Sequence, residues 1–357
     1  MFSDLLGRHD ASGRQDEAIG TTGRRMLLAL VVVLVLVAPL LQLLEPFYLF
    51  LLTEVLIFAL LALALDFVFG YCGLPSFGHA AMFGSGGYAA ALLLVGGVQN
   101  PVVVLPVTFI VGVIVAAVIG WLSVRSKGVY FAMLTLAFAQ VLFIIAFNDL
   151  VAVAIGVEQV TRGDNGIYGF PGYELLGLNF GSRLVYYYLT LALSAASIGI
   201  LLRLANSPFG RVIQGIRENE DRIEALGYDM NRYKVVAFSL SGGFTGLAGG
   251  LFVPLQTIAH PSLLDWTLSG ELIVMVLLGG MGSLWGPMLG ATVVVLLEDL
   301  LSSIEGWRLV LGGLFVTVVI FAPEGIAGMV RTVRRNPRTA FATVRRTLRE
   351  YARNVRR

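Results

Sequence analysis

Long apolar runs recur along almost the whole chain, at 26–44, 48–69, 74–96, 102–121 and 129–149, then at 184–204, 234–256, 267–280, 285–302 and 308–324. Most are long enough to cross about 30 Å of hydrocarbon as a helix. In lipid the backbone must satisfy its own hydrogen bonds, which leaves helices or a closed barrel. The period-2 alternation of a barrel strand is absent, so the sequence predicts an all-α polytopic membrane protein of about ten transmembrane helices. Only 13% of the 357 residues are charged, about half the share in a soluble domain. Some 25 mostly polar residues precede the first run, which is too long for the apolar part of a cleavable signal and is read as a span. The single cysteine, Cys72, has no partner for an intrachain disulfide.

Ten spans place both termini on one side, and the basic residues test that count. All but three of the 25 Lys and Arg fall on the side of the termini: the N-terminal tail 1–25, the connection holding Arg125 and Lys127, the segment around 207–234, and a tail 331–357 with ten arginines. Arg162, Arg183 and Arg308 fall on the other side, among Glu45, Asp149, Glu158, Asp164, Glu174, Asp265 and Glu305. Positive charge favours the cytoplasmic side, so the expected location is the plasma or inner membrane with both termini cytoplasmic. A miscount of one span would scatter the arginines to both faces. The domain reading is a tail 1–25, a transmembrane domain 26–330 with a turn-rich external segment 150–183, and a basic tail 331–357. In that tail Phe341, Val344, Leu348, Tyr351 and Val355 recur at helical spacing. A basic amphipathic helix on an anionic leaflet fits, as does a solvated tail.

One stretch breaks the apolar pattern. Residues 207–229, SPFGRVIQGIRENEDRIEALGYD, form a charged island between the sixth and seventh spans. Ser207-Pro208 is a helix start. Phe209, Val212, Ile213 and Ile216 then recur on one helical face. Asn219 is a second cap, with Glu220 and Asp221 at the positive helix end and Gly227 closing it. Two short helices joined by a tight turn are predicted, each too short to stand alone in water. They must dock on the membrane domain or on a partner.

Three glycine clusters interrupt the spans: residues 73–88, Gly242 to Gly250, and Gly279 to Pro287. Tight helix packing explains any one of them, whereas the set suggests broken helices around a pathway. Ionisable residues inside spans are functional candidates by default. Asp66 and Glu298 lie near interfaces and read as solvated. Glu54 and Glu271 are placed toward the outer leaflet and His79 deeper. With Gly84 and Gly87 these three are the candidate translocation-path residues. For His79, a hydrogen bond that fixes a broken helix competes with a pathway role.

No catalytic constellation is present. A P-loop needs Gly-Lys-Ser/Thr, and the only lysines, Lys127 and Lys234, follow Ser126 and Tyr233, so nucleotide binding of that kind is excluded. Three scattered histidines and one cysteine give no metal-ligand spacing.

Several motifs carry a family resemblance. GLPSFGHAAMFGSGGYAAALL (73–93), KGVYFAMLTLAFAQ (127–140), TRGDNGIYGFP (161–171), RVIQGIRENEDRIEALGYDMNRYKVVAFSLSGGFTGLAGGLF (211–252), SGELIVMVLLGGMGSLWGP (269–287) and FAPEGIAG (321–328) resemble the permease subunits of branched-chain amino acid ABC transporters. The likeness covers 26–330, and the DNG-type external segment is the form of the M-type permease. It implies an ABC importer permease fold with an inverted internal repeat. It also implies coupling helices at 207–229 that sit in a groove of the ATPase, where Arg211, Ile216, Arg217, Glu218, Asn219, Glu220, Ala225, Leu226 and Gly227 match the motif. The implied partners are a second homologous permease, two cytoplasmic ATPase subunits that hold the ATP and magnesium, an external substrate-binding protein and the lipid bilayer, with no nucleic acid. The expected function is import of leucine, isoleucine or valine, with no enzymatic activity and no cofactor on this chain. A urea or short-chain amide importer permease shares much of the pattern. An ion-coupled secondary transporter would leave the island without a purpose.

Overall fold

The computed structural model describes residues 21–175, 177–283 and 285–302, with 306, 309, 312, 313, 325, 326 and 328 beyond them. The chain forms two compact units, one ending at Leu49 and the other beginning at Phe50. In the first, helix α1 (Thr21–Leu44) leaves Val32, Val33, Leu36 and Leu40 exposed. Such outward apolar surface suits a helix whose solvent is lipid.

Helix α2 (Pro46–Cys72) carries the chain into the second unit. It is apolar all round, and Ile57, Leu60, Leu61, Ala64 and Leu65 are fully buried, as expected of a helix enclosed by others. There follow α3 (His79–Val95), α4 (Pro101–Ser123), α5 (Val129–Phe147), the short α6 (Leu150–Ile155), α7 (Arg183–Ala205), α8 (Pro208–Glu218), α9 (Glu220–Ala225), α10 (Met230–Gln256), α11 (Trp266–Gly279) and α12 (Gly286–Leu301). Among the described residues, α2, α4, α5, α7 and α10 are long and apolar enough to cross a membrane. The first nine predicted spans each meet a helix. The tenth, 308–324, and the tail 331–357 lie almost wholly outside the described residues.

Helix α10 is the hub, and glycine explains why. A Cβ at Gly249 would collide with the Phe83 carbonyl of α3, and one at Gly246 would sit 2.5 Å from the Thr108 carbonyl of α4. Bare backbones at these crossings let α10 approach both helices closely, the association mode favoured in lipid.

Helix α3 is shorter than hydropathy alone predicts, because the chain enters the bundle extended. The third apolar run begins at 74, but α3 starts only at His79. Residues 73–78 hold Gly73 at φ +77, then Pro75 and Gly78. The N–H groups that this leaves free are taken by side chains: Phe77 N donates to Thr135 Oγ1 (3.1 Å), Gly78 N to Ser76 Oγ (3.1 Å) and Ala80 N to Ser269 Oγ (2.8 Å). Ser269 lies at the start of α11, whose preceding residues Pro261–Leu264 form a 3₁₀ turn packed on Gly84. The starts of α3 and α11 therefore meet inside the bundle.

The segment read as external is pinned rather than loose. The Asp149 carboxylate accepts N–H groups from Val160, Thr161 and Arg162 at 2.9–3.2 Å. Burial pushes that carboxyl up, yet the three donors outweigh it and hold it below the usual carboxylate range. Strands β1 (Ile167–Tyr168) and β4 (Ile258–Ala259) pair antiparallel, while β2 (Glu174–Leu175) and β3 (Leu178–Asn179) form a hairpin. Pro254 inside α10 has no N–H to offer Gly250, four residues earlier. Tyr173 from the segment supplies the missing donor, its hydroxyl 2.7 Å from the Gly250 carbonyl.

Candidate functional site

The charged island folds into the α8–α9 hairpin. The Ser207 hydroxyl caps α8 at Gly210 N (3.2 Å) and Asn219 Oδ1 caps α9 at Arg222 N (2.9 Å). Gly227 closes the hairpin at φ +85. The apolar stripe behaves as its spacing predicts. Ile213 and Ile216 are buried, and the Phe209 ring stacks on Tyr233 at 5.5 Å.

Two charged residues fasten the hairpin to the bundle. Arg217 donates to the carbonyl of Gly70 near the end of α2, and its side chain also lies against Gly73 and Gly282. Glu220 receives both of the chain's lysines. Lys234 Nζ donates to Oε1 at 2.6 Å and Lys127 Nζ lies 2.7 Å from Oε2. Burial pushes the Glu220 carboxyl up, but the bonds from the two ammonium groups outweigh that and hold it below the usual carboxylate range. The Glu220 bond in turn raises the Lys127 ammonium.

The nine residues read as a docking motif thus divide by direction. Ile216, Arg217 and Glu220 turn inward and hold the hairpin. Arg211, Glu218, Asn219, Ala225, Leu226 and Gly227 face outward, joined by Asp221, Arg222, Glu224 and Tyr228. Leu226 is 67% exposed, an apolar tip on a charged surface.

The candidate path residues do not form one site. His79 is fully buried, with Nδ1 3.1 Å from Ser76 Oγ and Nε2 2.9 Å from Ser241 Oγ; Ser241 also donates to the Ala64 carbonyl. Its ring locks the start of α3 to α10 and α2. Gly84 faces Leu263 and Leu264, and Gly87 faces Val253, so both serve close packing. Glu54 is half-buried and accepts a hydrogen bond from Gln256 (3.2 Å). Glu271 is exposed on α11.

Two expectations need correction. Asp66 is not solvated but fully buried, its Oδ1 accepting Gly282 N at 2.8 Å. The α11–α12 loop folds over the end of α2 and shuts water out. Glu271 stands two residues past Ser269, which meets the start of α3, and eight from the hairpin-side end of α11, so it does not lie toward the far end of the bundle. Lys127, Lys234, Gly70 and Gly282 were missed as anchors. One signal was available: a chain with only two lysines brackets its charged island with them.

A family model described as the branched-chain amino acid transport system / permease component matches residues 47–322. The high-affinity branched-chain amino acid transport system permease protein LivM of Salmonella typhimurium is 30% identical, over 78% of this chain and 69% of its own length. The probable branched-chain amino acid transport permease proteins LivM and LivH of Methanocaldococcus jannaschii are each 26% identical, covering 69% and 76% of this chain and 78% and 88% of their own lengths. No solved structure matches. An all-α membrane bundle with a helical hairpin anchored at its foot, matched by that model along most of its length, belongs to the branched-chain amino acid transport system permease family.

Proposed function

We propose that this chain is the M-type permease of an ATP-driven importer of branched-chain amino acids and forms half of its translocation path. The other half would come from a second homologous permease, because curated relatives include both LivM and LivH forms. Two cytoplasmic ATPases would supply the energy and an external binding protein the substrate. The observation that carries this reading is the division of the hairpin. Its inward side is fastened by Arg217 and the Glu220 pairs, while its outward side leaves charge and an exposed Leu226 unburied. Charge with an apolar tip is the kind of surface that a docking element would offer a partner. The arginine distribution favours the cytoplasm for that face, where an ATPase would meet it. ATP-driven closure would then move the hairpin and rock the attached helices between outward and inward access.

The test is uptake of labelled leucine into proteoliposomes carrying both permeases and both ATPases, with binding protein outside and ATP inside. Uptake should vanish without the ATPases. Glu218→Lys and Leu226→Asp should leave the permease folded but loosen the link between hydrolysis and uptake. Uptake that persists without the ATPases on an ion gradient would refute the importer reading, and normal coupling in both variants would refute the docking face.

A further inference from the structure

Helix α2 ends at the Arg217 anchor, α7 leads into α8, and α10 follows α9. The starts of α2 and α7 and the end of α10 therefore lie at the end of the bundle away from the hairpin. A cavity of about 340 Å³ opens there. Phe50 lines it from the start of α2, Phe170 and Phe180 from the segment 150–183, Pro254 and Leu255 from the end of α10, and Arg183 from the first residue of α7. Pockets for small molecules begin at about 300 Å³. Hydrogen bonds between the same parts of the chain set its shape. Tyr173 donates to the Gly250 carbonyl and Tyr186 to that of Leu251, so the segment and α7 are both fastened to the last turns of α10. A cavity shaped before its ligand arrives loses little freedom on filling.

The chemistry of the wall is divided. The rings of Phe50, Phe170 and Phe180 are half-buried, and with Pro254 and Leu255 they offer apolar contact. Among the described residues Arg183 is the only charged residue lining the cavity, it is exposed, and its guanidinium has no ion-pair partner. A guanidinium fork matches a carboxylate with two parallel hydrogen bonds. The end of α10 supplies the opposite sign. Its last carbonyls lack helical donors and carry the negative end of the helix dipole.

Resting on the importer reading above, we infer that this cavity is an entry subsite for the amino acid before it crosses. Arg183 takes the carboxylate, the end of α10 faces the ammonium group, and the aromatic wall accepts the branched side chain. A zwitterion with an aliphatic tail meets all three features at once. An acidic side chain of the external binding protein would match Arg183 but leave the apolar wall unmet.

The test uses the complete transporter in lipid nanodiscs, without nucleotide. A Cβ at Gly172, which lines the cavity, meets nothing nearer than the Gly181 backbone at 3.8 Å. Because Cys72 is buried, Gly172→Cys places one accessible thiol of this chain at the cavity wall. A charged methanethiosulfonate should label it, seen as a mass shift of this chain that wild type lacks. Leucine without binding protein should slow the labelling, whereas isopentylamine, which lacks the carboxylate, should not. Adding Arg183→Gln should leave the unprotected rate unchanged and raise the half-protecting leucine concentration about tenfold or more, the loss expected for a hydrogen bond to a charged group. Arg183→Lys should fall between. No labelling would mean that the cavity is closed to water. Protection by unliganded binding protein but not by leucine would mean that the cavity receives that protein. Equal protection by isopentylamine, or full protection in Arg183→Gln, would mean that the arginine holds no carboxylate. Each of these results would overturn the inference while ATP-driven leucine import by wild type stood. Loss of that import would sink the importer reading, and protection by leucine would then still mark an amino-acid site.

Discussion

Removing Glu220 should free the hairpin, and the structure sets how far. Lys234 has a side chain only 3% exposed, and Glu220 pairs with it at 2.6 Å. Glu220→Ala leaves that ammonium buried beside no charge. Stranding one member of a fully buried pair costs about 3–5 kcal/mol. Glu220 itself is 23% exposed, so water can partly re-enter, and a figure of about 3 kcal/mol is expected. At about 1.4 kcal/mol per tenfold, the α8–α9 amides should open and exchange with deuterium about a hundredfold faster. Lys127, 69% exposed, regains water when its partner goes, so Lys127→Ala should leave exchange close to wild type. Combining Glu220→Ala with Lys234→Met removes both buried charges and should recover much of the loss. The pH dependence has a definite sign. The folded carboxyl titrates below its ordinary value of 4.5, so its contribution is fully present above that value and is lost as pH falls through the folded pKa. Protection, corrected for intrinsic exchange rates, should hold from pH 7 down to about 5 and decline below the ordinary carboxylate range. Equal effects in the Glu220 and Lys127 variants, or no recovery in the double variant, would refute the argument.

Three further outcomes follow from the packing. Gly249→Ala pushes a methyl group into the Phe83 carbonyl, a backbone contact that cannot yield cheaply. The purified permease should lose about 1–3 kcal/mol of stability, read as a lower midpoint in thermal aggregation. Tyr173→Phe leaves the Gly250 carbonyl without the donor that Pro254 cannot supply, at a cost of about 1–3 kcal/mol. Faster protease cutting between 167 and 181 measures it. His79→Ala empties a fully buried site and leaves the Ser76 and Ser241 hydroxyls without the ring. It should lower the midpoint, and an unaffected His79→Ala protein would show that the ring holds nothing.

Hydropathy made the first nine spans legible because lipid imposes a single rule on every helix that crosses it. The hairpin was legible for a different reason, since its caps and apolar stripe are local signals within four residues of each other. What the sequence hid were distances across the chain. Arg217 meets Gly70 from 147 positions away, and Gly282 meets Asp66 from 216; no local pattern records such meetings. Depth was hidden too. Residues 74–78 are apolar enough to pass for helix, yet they run without helical hydrogen bonds, and Thr135 and Ser76 answer the free N–H groups of Phe77 and Gly78. Asp66 likewise reads as solvated in the sequence and is fully buried in the fold.

In the importer reading, the anchors explain how a small hairpin would act on a large bundle. Arg217 holds the end of α2 and lies against the α11–α12 loop. That loop is also tied to α2 through Gly282 and Asp66. Glu220 holds the start of α10 through Lys234 and the α4–α5 connection through Lys127. A displacement of α8–α9 cannot be absorbed by one flexible joint, because the end of α2, the α11–α12 loop and the start of α10 are all gripped by Arg217 and Glu220. Glycine crossings then make α10 move with α3 and α4, since backbones in direct contact have no side chain between them to deform. The His79 ring completes the chain of contacts, joining α10 to the start of α3, next to which Ser269 fixes α11. In that reading a push at the hairpin would reach α11 by two routes, through the α11–α12 loop and through α10. The same residues that make the hairpin rigid make it able to transmit.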